Sequence, residues 1–130
     1  MIETNQKITR RTLIASTGAA ALAAQTVRLS RKVRVAIAGL DGHPTEIAKP
    51  LDSLPDVEIV AIASADAAEV ARFKRRNARL AGAKTYADYR RMLDEEKPDV
   101  VDVCNNNGER AAAILEAAGR KMNVIAEKPL

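Results

Sequence analysis

Glycine and asparagine residues follow two of the apolar runs in this sequence. Gly39 and Gly42 come just after the run at 33–38, and three asparagines, residues 105–107, follow the run at 99–104. A glycine turn at the end of a strand lets backbone amides approach a phosphate group, because no side chain stands in the way. Asparagine side chains offer donors and acceptors to hydroxyl and amide groups. These residue types indicate a site for a phosphate-containing ligand, provided that the fold brings the two runs side by side.

The alternation of β-branched runs with alanine-rich and charged stretches predicts an α/β fold. We expect strands at 33–38, 57–63, 83–85, 99–104 and 123–126, and helices at 66–80, 86–96 and 109–120. Helical crossovers between successive strands predict a Rossmann-like, doubly wound parallel sheet in the strand order 3-2-1-4-5. Ligands bind such sheets where the order reverses, so the loops at 39–45 and 105–110 should line the cleft. Pro50 should interrupt the helix that follows the first loop.

The composition fits one soluble globular domain. The chain has 130 residues, of which 47% are hydrophobic and 29% charged, unlike a disordered tail or a polytopic membrane protein. A net charge of +4 and only three aromatic residues give no reason to expect a nucleic-acid partner. A single cysteine excludes an internal disulfide framework, and with one histidine we expect no metal site.

The first 30 residues have the layout of a removable export signal. Arg10 and Arg11 precede a short apolar run at 13–24, which becomes polar at Gln25. This pattern resembles a twin-arginine signal, which would send a folded protein to the periplasm. The alternative is a disordered or loosely helical extension on a cytoplasmic protein. The run is too short to span a membrane stably. We place the globular domain after this segment, at residues 31–130.

Three segments near the predicted strand ends together resemble one family of enzymes. Glu127-Lys128-Pro129 follows the fifth strand, Tyr86-Ala87-Asp88-Tyr89 begins the helix before the fourth strand, and that strand reads Asp99-Val100-Val101-Asp102-Val103-Cys104. In this order and spacing they resemble the glucose-fructose oxidoreductase, inositol dehydrogenase and rhizopine-catabolism family, written Gfo/Idh/MocA. The resemblance spans residues 33–130. It implies hydride transfer between NAD or NADP and a small-molecule substrate, which would be a sugar, a polyol or a related hydroxy compound.

The resemblance assigns a catalytic role to Lys128. In the family, the lysine of this motif lies near the nicotinamide and the reacting carbinol. Removing hydride from a carbinol carbon requires the hydroxyl proton to leave or be stabilised, and an amine nearby can accept, donate or polarise it. The alternative is an exposed lysine in a turn after a strand.

The resemblance also implies a set of cofactor-binding residues. They are Gly39, Leu40, Asp41, Gly42, His43, Ser64, Asp66, Asn105, Asn106, Asn107 and Glu127. The glycine turn departs from the family's pattern, because Asp41 stands where a glycine would admit the pyrophosphate and Pro44 replaces a further glycine. In the loop after the fourth strand, the family's threonine, proline and histidine are replaced by Asn105, Asn106 and Arg110. We therefore expect dinucleotide binding to be impaired or altered.

Several of these residues have an alternative structural role. His43 could contact a ligand, or it could be a capping or surface residue near a turn. Ser64 stands where an acid that favours NAD would bind the ribose, and Asp66 could take that role or cap the next helix. Asparagines 105–107 could bind a ribose or form a polar turn that caps a helix. The preference between NAD and NADP stays open.

The sequence ends before features that the family possesses. Relatives have a second domain of α+β type that supplies the substrate pocket, so we expect residues 31–130 to be an incomplete domain that is inactive alone. Two functions follow: the nucleotide-binding part of an exported NAD(P)-dependent oxidoreductase, or a non-catalytic Rossmann-fold module for binding or interaction that has lost dinucleotide affinity. The sequence decides neither the substrate nor whether the chain forms a homo-oligomer.

Overall fold

Parallel strands form one five-stranded sheet in residues 28–128, the part of the chain that this computed structural model describes. The strands are β1 (Val33–Ala38), β2 (Val57–Ala63), β3 (Lys84–Tyr86), β4 (Val100–Val103) and β5 (Asn123–Ala126). The helices are α1 (Thr45–Ala48), α2 (Ala67–Lys74), α3 (Tyr89–Glu96) and α4 (Asn107–Gly119), with 3₁₀ helices at Lys49–Ser53 and Ala78–Leu80. The order β3-β2-β1-β4-β5 confirms the predicted Rossmann-like α/β fold. The predicted export signal lies almost entirely in residues 1–27, outside the described residues.

The carboxyl ends of the strands lie at one edge of the sheet, because the strands pair in parallel register. Ala38, the last residue of β1, pairs with Ala63 of β2 and with Val103 of β4. Ala63 pairs in turn with Tyr86 at the end of β3, and Val103 pairs with Ala126 at the end of β5. The loops that follow all five strands therefore meet at the same edge. The strand order reverses between β1 and β4, which is where a cleft is expected.

Both faces of the sheet carry a buried core, as is usual for a parallel sheet. One face packs against α1, α2 and the 3₁₀ helices through Val35, Ile37, Leu51, Ile59, Ile62, Val70, Phe73 and Leu80. The other packs against α3 and α4 through Ala36, Ala38, Ala61, Ala63, Met92, Leu93, Val101, Val103, Ala113 and Ala117. Successive residues of a strand point to opposite faces, so the alanines of β1 and β2 share one face and let α3 and α4 pack close to the sheet. No helix within residues 28–128 is long and apolar enough to cross a membrane.

Helix α2 ends at Lys74, so the predicted helix over 66–80 was wrong at its carboxyl end. Asn77 has an extended backbone, and its Oδ1 accepts a hydrogen bond from the Arg79 amide at 2.8 Å. The Asn77 Nδ2 donates to the Ala48 carbonyl oxygen at 3.2 Å. A side chain that bonds to the backbone in this way stabilises a turn in competition with the helix.

Side-chain caps also move the starts of two helices. Helix α3 begins three residues later than predicted, because Asp88 caps it and accepts a hydrogen bond from the Arg90 amide at 2.8 Å. Helix α4 begins two residues earlier than predicted, because Asn106 caps it. Strands β3 and β4 lie within one residue of their predicted bounds.

Helix α1 has only four residues, and the interruption predicted at Pro50 is present. The chain continues from α1 as the 3₁₀ helix Lys49–Ser53, with Pro50 in its first turn. Proline has no amide hydrogen, so it cannot extend the α-helical hydrogen bonds. Leu51 is nevertheless buried in the core and fixes this segment to the sheet. The loop after β1 is therefore followed by very few aligned amides, which are the groups that hold an anion at a helix start.

Candidate functional site

A cleft of about 490 Å³ lies at the carboxyl ends of β1, β2, β3 and β4, at the point where the strand order reverses. Its walls come from the loops after these strands and from the first turns of α2 and α4. Six of the eleven predicted cofactor-binding residues line it, namely Gly39, Asp41, Ser64, Asp66, Asn105 and Asn106. This is the edge of the sheet where the sequence predicts ligand binding.

Gly39 is the residue that lets the first loop cross the end of β4. Its φ is +81°, a conformation that side chains other than glycine rarely adopt. A Cβ atom at this position would lie 2.8 Å from both the Cα and the backbone nitrogen of Asn105. The Gly39 amide donates to the Ala63 carbonyl oxygen at 2.8 Å, which ties the loop to β2. The two halves of the sheet therefore meet at a position that only glycine fills without strain.

Two positions of the first loop cannot offer a free amide to a phosphate. The Gly42 amide donates to the Cys104 carbonyl oxygen at 2.8 Å, so it is used within the protein. Pro44 has no amide hydrogen and precedes the four-residue α1. Asp41, which lies between Gly39 and Gly42, lines the cleft and carries a carboxylate. The engaged Gly42 amide, the missing amide of Pro44 and the acidic Asp41 each reduce what the loop offers to a phosphate.

Asn105 supplies an unsatisfied acceptor to the cleft. The residue is only 5% exposed, and its Oδ1 has no hydrogen-bond partner among residues 28–128. Its Nδ2 lies 3.5 Å from Glu109 Oε2, a long contact. Buried polar atoms in proteins are nearly always hydrogen-bonded, so this oxygen is a position where a ligand donor would be stabilised.

Asn106 and Asn107 have different positions despite their shared residue type. The Asn106 Oδ1 accepts hydrogen bonds from the Gly108 amide at 3.0 Å and the Glu109 amide at 3.2 Å, so it caps α4 while also lining the cleft. Asn107 is exposed in the first turn of α4, outside the lining of the cleft. Asn106 therefore has the predicted role of a helix cap. Asn105 is the asparagine whose unpaired oxygen supports the alternative role in ligand binding.

The end of β2 holds a small hydrogen-bonded group around Ser64. The Ser64 Oγ donates to Glu69 Oε2 at 3.0 Å and accepts from the Asp66 amide at 3.3 Å. The Asp66 Oδ1 accepts from the amides of Glu69 and Ala68, and these two bonds lower the pKa of the Asp66 carboxyl. Asp66 therefore caps α2, which was one of the two roles predicted for it.

Glu127 lies beside the first loop rather than in the cleft. Its Oε2 is 3.3 Å from the His43 Nδ1, and a Cβ atom on Gly42 would be 3.3 Å from its Cγ. The His43 side chain is exposed, and so is Lys128, which follows Glu127. The loop after β5 thus contacts the loop after β1 at the carboxyl-end edge of the sheet. Leu40 is placed differently from its neighbours, because it is buried in the core.

Asp102 and Cys104 are buried at the end of β4, near the contact between His43 and Glu127. Burial raises the pKa of Asp102 to about 6, and the Cys104 Sγ donates to its Oδ2 at 3.4 Å. Burial also raises the pKa of the Cys104 thiol, and the residue serves as a small buried side chain at the end of β4. Asp102 lies at an apolar groove of about 410 Å³ whose walls include Val35 and Ile125. Among residues 28–128, no three histidine, cysteine, aspartate or glutamate side chains are grouped to hold a metal ion.

Two groups that line the cleft were not predicted from the sequence. They are Glu69 and the loop after β3 at 87–90, whereas Glu109 falls in the loop at 105–110 that was expected there. The position of β3 at the sheet edge was predicted, and the sheet order alone brings its exit loop to the cleft. Glu69 is the third residue of α2, a helix that starts at the cleft, so the predicted start of that helix carried a signal for it.

The cleft is rich in carboxylates. Asp41, Asp66, Glu69, Asp88 and Glu109 all line it. The lining also includes one arginine, Arg90, which donates to Glu116 at 3.0 Å and lies over the Tyr89 ring. Carboxylates accept hydrogen bonds from hydroxyl groups but repel phosphate charge. The arrangement favours a ligand that presents hydroxyl or amide groups here.

Comparisons with known proteins agree on the kind of fold. The model of the Gfo/Idh/MocA family, described as an oxidoreductase family with an NAD-binding Rossmann fold, matches residues 33–130. The solved structure of myo-inositol 2-dehydrogenase from Lactobacillus plantarum is 26% identical to the chain, with a TM-score of 0.66. The match covers 76% of this chain and 29% of that protein. No curated protein matches the chain.

Two further solved structures share the fold at lower identity. The WlbA dehydrogenase from Chromobacterium violaceum, in complex with NADH and UDP-GlcNAcA, is 22% identical with a TM-score of 0.65, over 78% of this chain and 29% of that one. The scyllo-inositol dehydrogenase from Lactobacillus casei, with bound NAD(H) and scyllo-inositol, is 21% identical with a TM-score of 0.65, over 76% and 28%. The chain thus spans less than a third of the length of these proteins.

Proposed function

Because the chain belongs to the Gfo/Idh/MocA oxidoreductase family, we propose that it is the nucleotide-binding part of an NAD(P)-dependent oxidoreductase. The enzyme would transfer hydride between the cofactor and a sugar, a polyol or a related hydroxy compound. Solved relatives that carry NADH or NAD(H) together with a sugar nucleotide or an inositol support this substrate class. The substrate pocket would be completed by a domain like those in the longer relatives.

The observation that carries the proposal is the crossing of Gly39 over Asn105 at the sheet edge. The glycine leaves the cleft open where a side chain would close it, and the buried Asn105 Oδ1 lacks a donor within the described residues. A ribose hydroxyl or a carboxamide would supply that donor. The residues therefore fit the uncharged groups of a dinucleotide, while neither Gly42, whose amide is engaged, nor Pro44 could donate to the pyrophosphate.

Lys128 is proposed as the group that handles the substrate proton. When bound, the nicotinamide would supply the hydride donor or acceptor. The Lys128 side chain is exposed at the sheet edge, next to the contact between Glu127 and His43. An amine at this edge can accept or donate the proton of a carbinol as that carbon is oxidised or its carbonyl is reduced.

Fluorescence titration of NADH with the full chain tests the proposal. We expect saturable binding that weakens with Lys128→Ala and falls at least tenfold with Gly39→Val, since the valine would fill the crossing point. Lys32→Ala is the matched control, because this exposed lysine precedes β1 at the opposite edge of the sheet. Circular dichroism of each variant separates lost binding from lost folding. If the folded wild-type chain binds neither NADH nor NADPH at millimolar concentration, the proposal is wrong.

A second candidate is a non-catalytic Rossmann-fold module that has lost dinucleotide affinity. The engaged Gly42 amide, the missing amide of Pro44 and the Asp41 carboxylate in the cleft favour it. Each of these features weakens binding of the pyrophosphate charge. The same titration decides between the candidates, because only this one predicts that both reduced cofactors fail to bind.

A further inference from the structure

We infer that Glu69 is the residue that binds the adenosine ribose and selects a cofactor with a free 2′-hydroxyl, NAD(H) over NADP(H). The inference rests on the proposed function, since it concerns the cofactor half of the same cleft. Dinucleotide folds that prefer NAD usually place an acid at the end of β2, where it accepts a hydrogen bond from the ribose. In this chain that position holds Ser64, which has no carboxylate.

The structure brings a carboxylate back to this position from the following helix. The Ser64 Oγ donates to Glu69 Oε2 at 3.0 Å, and Glu69 lines the cleft. The Glu69 Oε1 makes no hydrogen bond within residues 28–128. One oxygen is thus held by the strand end, and the other is free to accept a hydrogen bond from a ligand.

Glu69 is diverted from the role that its place in the helix would ordinarily give it. It is the third residue of α2, where a glutamate commonly bonds back to the amide of the capping residue. Here that amide, from Asp66, donates to the Ser64 Oγ at 3.3 Å. Ser64 therefore takes the bond that would have turned Glu69 toward its own helix, and the carboxylate faces the end of β2 instead.

Asp66 is not available for the same task. Its Oδ1 accepts the amides of Ala68 and Glu69, and its Oδ2 lies 3.6 Å from the Arg72 Nη2. Both oxygens of Asp66 thus face groups of its own helix. The Glu69 Oε1, in contrast, has neither a hydrogen bond nor an ion pair within residues 28–128.

An independent observation across the cleft indicates a ligand with hydroxyl or amide donors. Asn105, from the loop after β4, is 95% buried, and its Oδ1 has no partner among the described residues. The residues that carry these two unsatisfied acceptors, Asn105 and Glu69, both line the cleft. A nucleoside presents donors of this kind.

Charge near the end of β2 disfavours a 2′-phosphate. A phosphate bound at Ser64 would lie near the carboxylates of Glu69 and Asp66, and like charges repel. Arg90 lines the cleft but donates to Glu116. Arg72 and Arg76 line an adjoining pocket of about 220 Å³ between α2 and the first loop, which Glu69 also lines. Arg72 is paired with Asp66 across that boundary. The end of β2 and the start of α2 thus contribute two carboxylates and no arginine to the lining of the cleft.

Parallel titrations of the full chain with NADH and NADPH test the inference, with ADP-ribose and its 2′-phosphate as probes of the adenosine half alone. We expect NADH to bind at least tenfold more tightly than NADPH. Glu69→Gln keeps the shape and the contact with Ser64 but removes the charge, so the preference should fall at least fivefold. Ser64→Ala should lower the preference too, because it frees Glu69 to rotate. Glu58→Gln is the control: it removes the same charge from an exposed side chain near the start of β2 and should leave the preference unchanged.

The outcomes separate this inference from the proposed function. If the wild-type chain binds both cofactors and Glu69→Gln leaves their ratio unchanged, the inference is wrong and the proposed function stands. A wild-type preference for NADPH would also overturn it and would assign Arg72 and Arg76 to the phosphate. If neither cofactor binds, the proposed function fails first, and the inference fails with it. Glu69→Asp, which shortens the side chain and keeps the charge, replaces Glu69→Gln if that variant does not fold.

Discussion

At the scale of single residues, the candidate site depends on small contacts that the sequence only partly reveals. The turn at Gly39 could be predicted, because a glycine follows an apolar run. The bond from Ser64 to Glu69 could not, since it joins a strand end to a helix whose start shifts with the choice of capping residue. The free Oδ1 of Asn105 was equally hidden, because it depends on burial.

Gly39→Ala should destabilise the protein by at least about 2 kcal/mol, because its positive φ and the close backbone of Asn105 both oppose a Cβ atom. Urea unfolding measures the effect. Gly82→Ala is the matched control, since nothing lies within 4 Å of a Cβ atom there, and it should be neutral or stabilise by up to about 1 kcal/mol. Equal effects at the two glycines would contradict the packing described at the crossing point.

Asp102→Asn should stabilise the protein at pH 8 and have little effect at pH 4. The folded pKa is about 6 and the usual value is 3.8, so the folded state holds more protons between these values. Stability therefore falls as pH rises from about 4 to 6 and stays lower above that. Removing the charge should restore up to about 3 kcal/mol at pH 8. Thermal unfolding across this pH range measures the difference.

Asp99→Asn provides the opposite sign in the same experiment. A hydrogen bond from Arg31 holds the pKa of Asp99 at about 2, below its usual 3.8. This carboxylate stabilises the fold above about pH 4, and the contribution is lost as pH falls to 2. The variant should therefore be less stable than wild type at pH 7 and equal to it near pH 2. The burial account of Asp102 fails if both variants shift stability in the same direction at pH 8.

At the scale of elements, strands were easier to predict than helix ends. The runs that became β1, β2 and β5 are continuous and β-branched, and their bounds match the structure. Helix ends were set by side-chain hydrogen bonds, as at Asn77 after α2 and Asp88 before α3. Asparagine and aspartate permit both helix and turn, so sequence alone left the choice open.

Asn106→Ala should cost about 1 kcal/mol, because it removes the cap of α4. Asn107→Ala, one residue later, is the control and should change stability by less than half of that, since its exposed side chain caps nothing. Asn106→Ser should recover most of the loss, because serine is also a good cap. Urea unfolding of the three variants measures these differences. Full stability of Asn106→Ala would show that the cap is dispensable.

At the scale of the whole molecule, the order of the strands followed from topology rather than from any single motif. Right-handed crossovers allow few arrangements of alternating strands and helices, so the order 3-2-1-4-5 was predictable. The loop after β3 reaches the cleft because of this order, although its residues carried no signal of their own. The proposed export of the protein depends on the sequence of residues 1–30 alone.

Replacing Arg10 and Arg11 with lysine tests the proposed export of the protein. If residues 1–30 form a twin-arginine signal, the double variant should accumulate in the cytoplasm, and at least nine-tenths of the periplasmic protein should be lost. Cell fractionation with antibody detection measures the distribution. Lys7→Arg is the control, because it keeps the charge and leaves the arginine pair intact. Protein that stays cytoplasmic in the wild type would contradict the proposal.

The crossing of Gly39 over Asn105 has a consequence for how binding and folding are linked. These residues are distant in the chain, so the pocket between them is absent until both halves of the sheet have docked. A nucleotide held there stabilises a state in which β1 and β4 are already joined. Its addition should therefore slow amide hydrogen exchange in both strands by the same factor, including at Ile37 and Val101, which no ligand would touch.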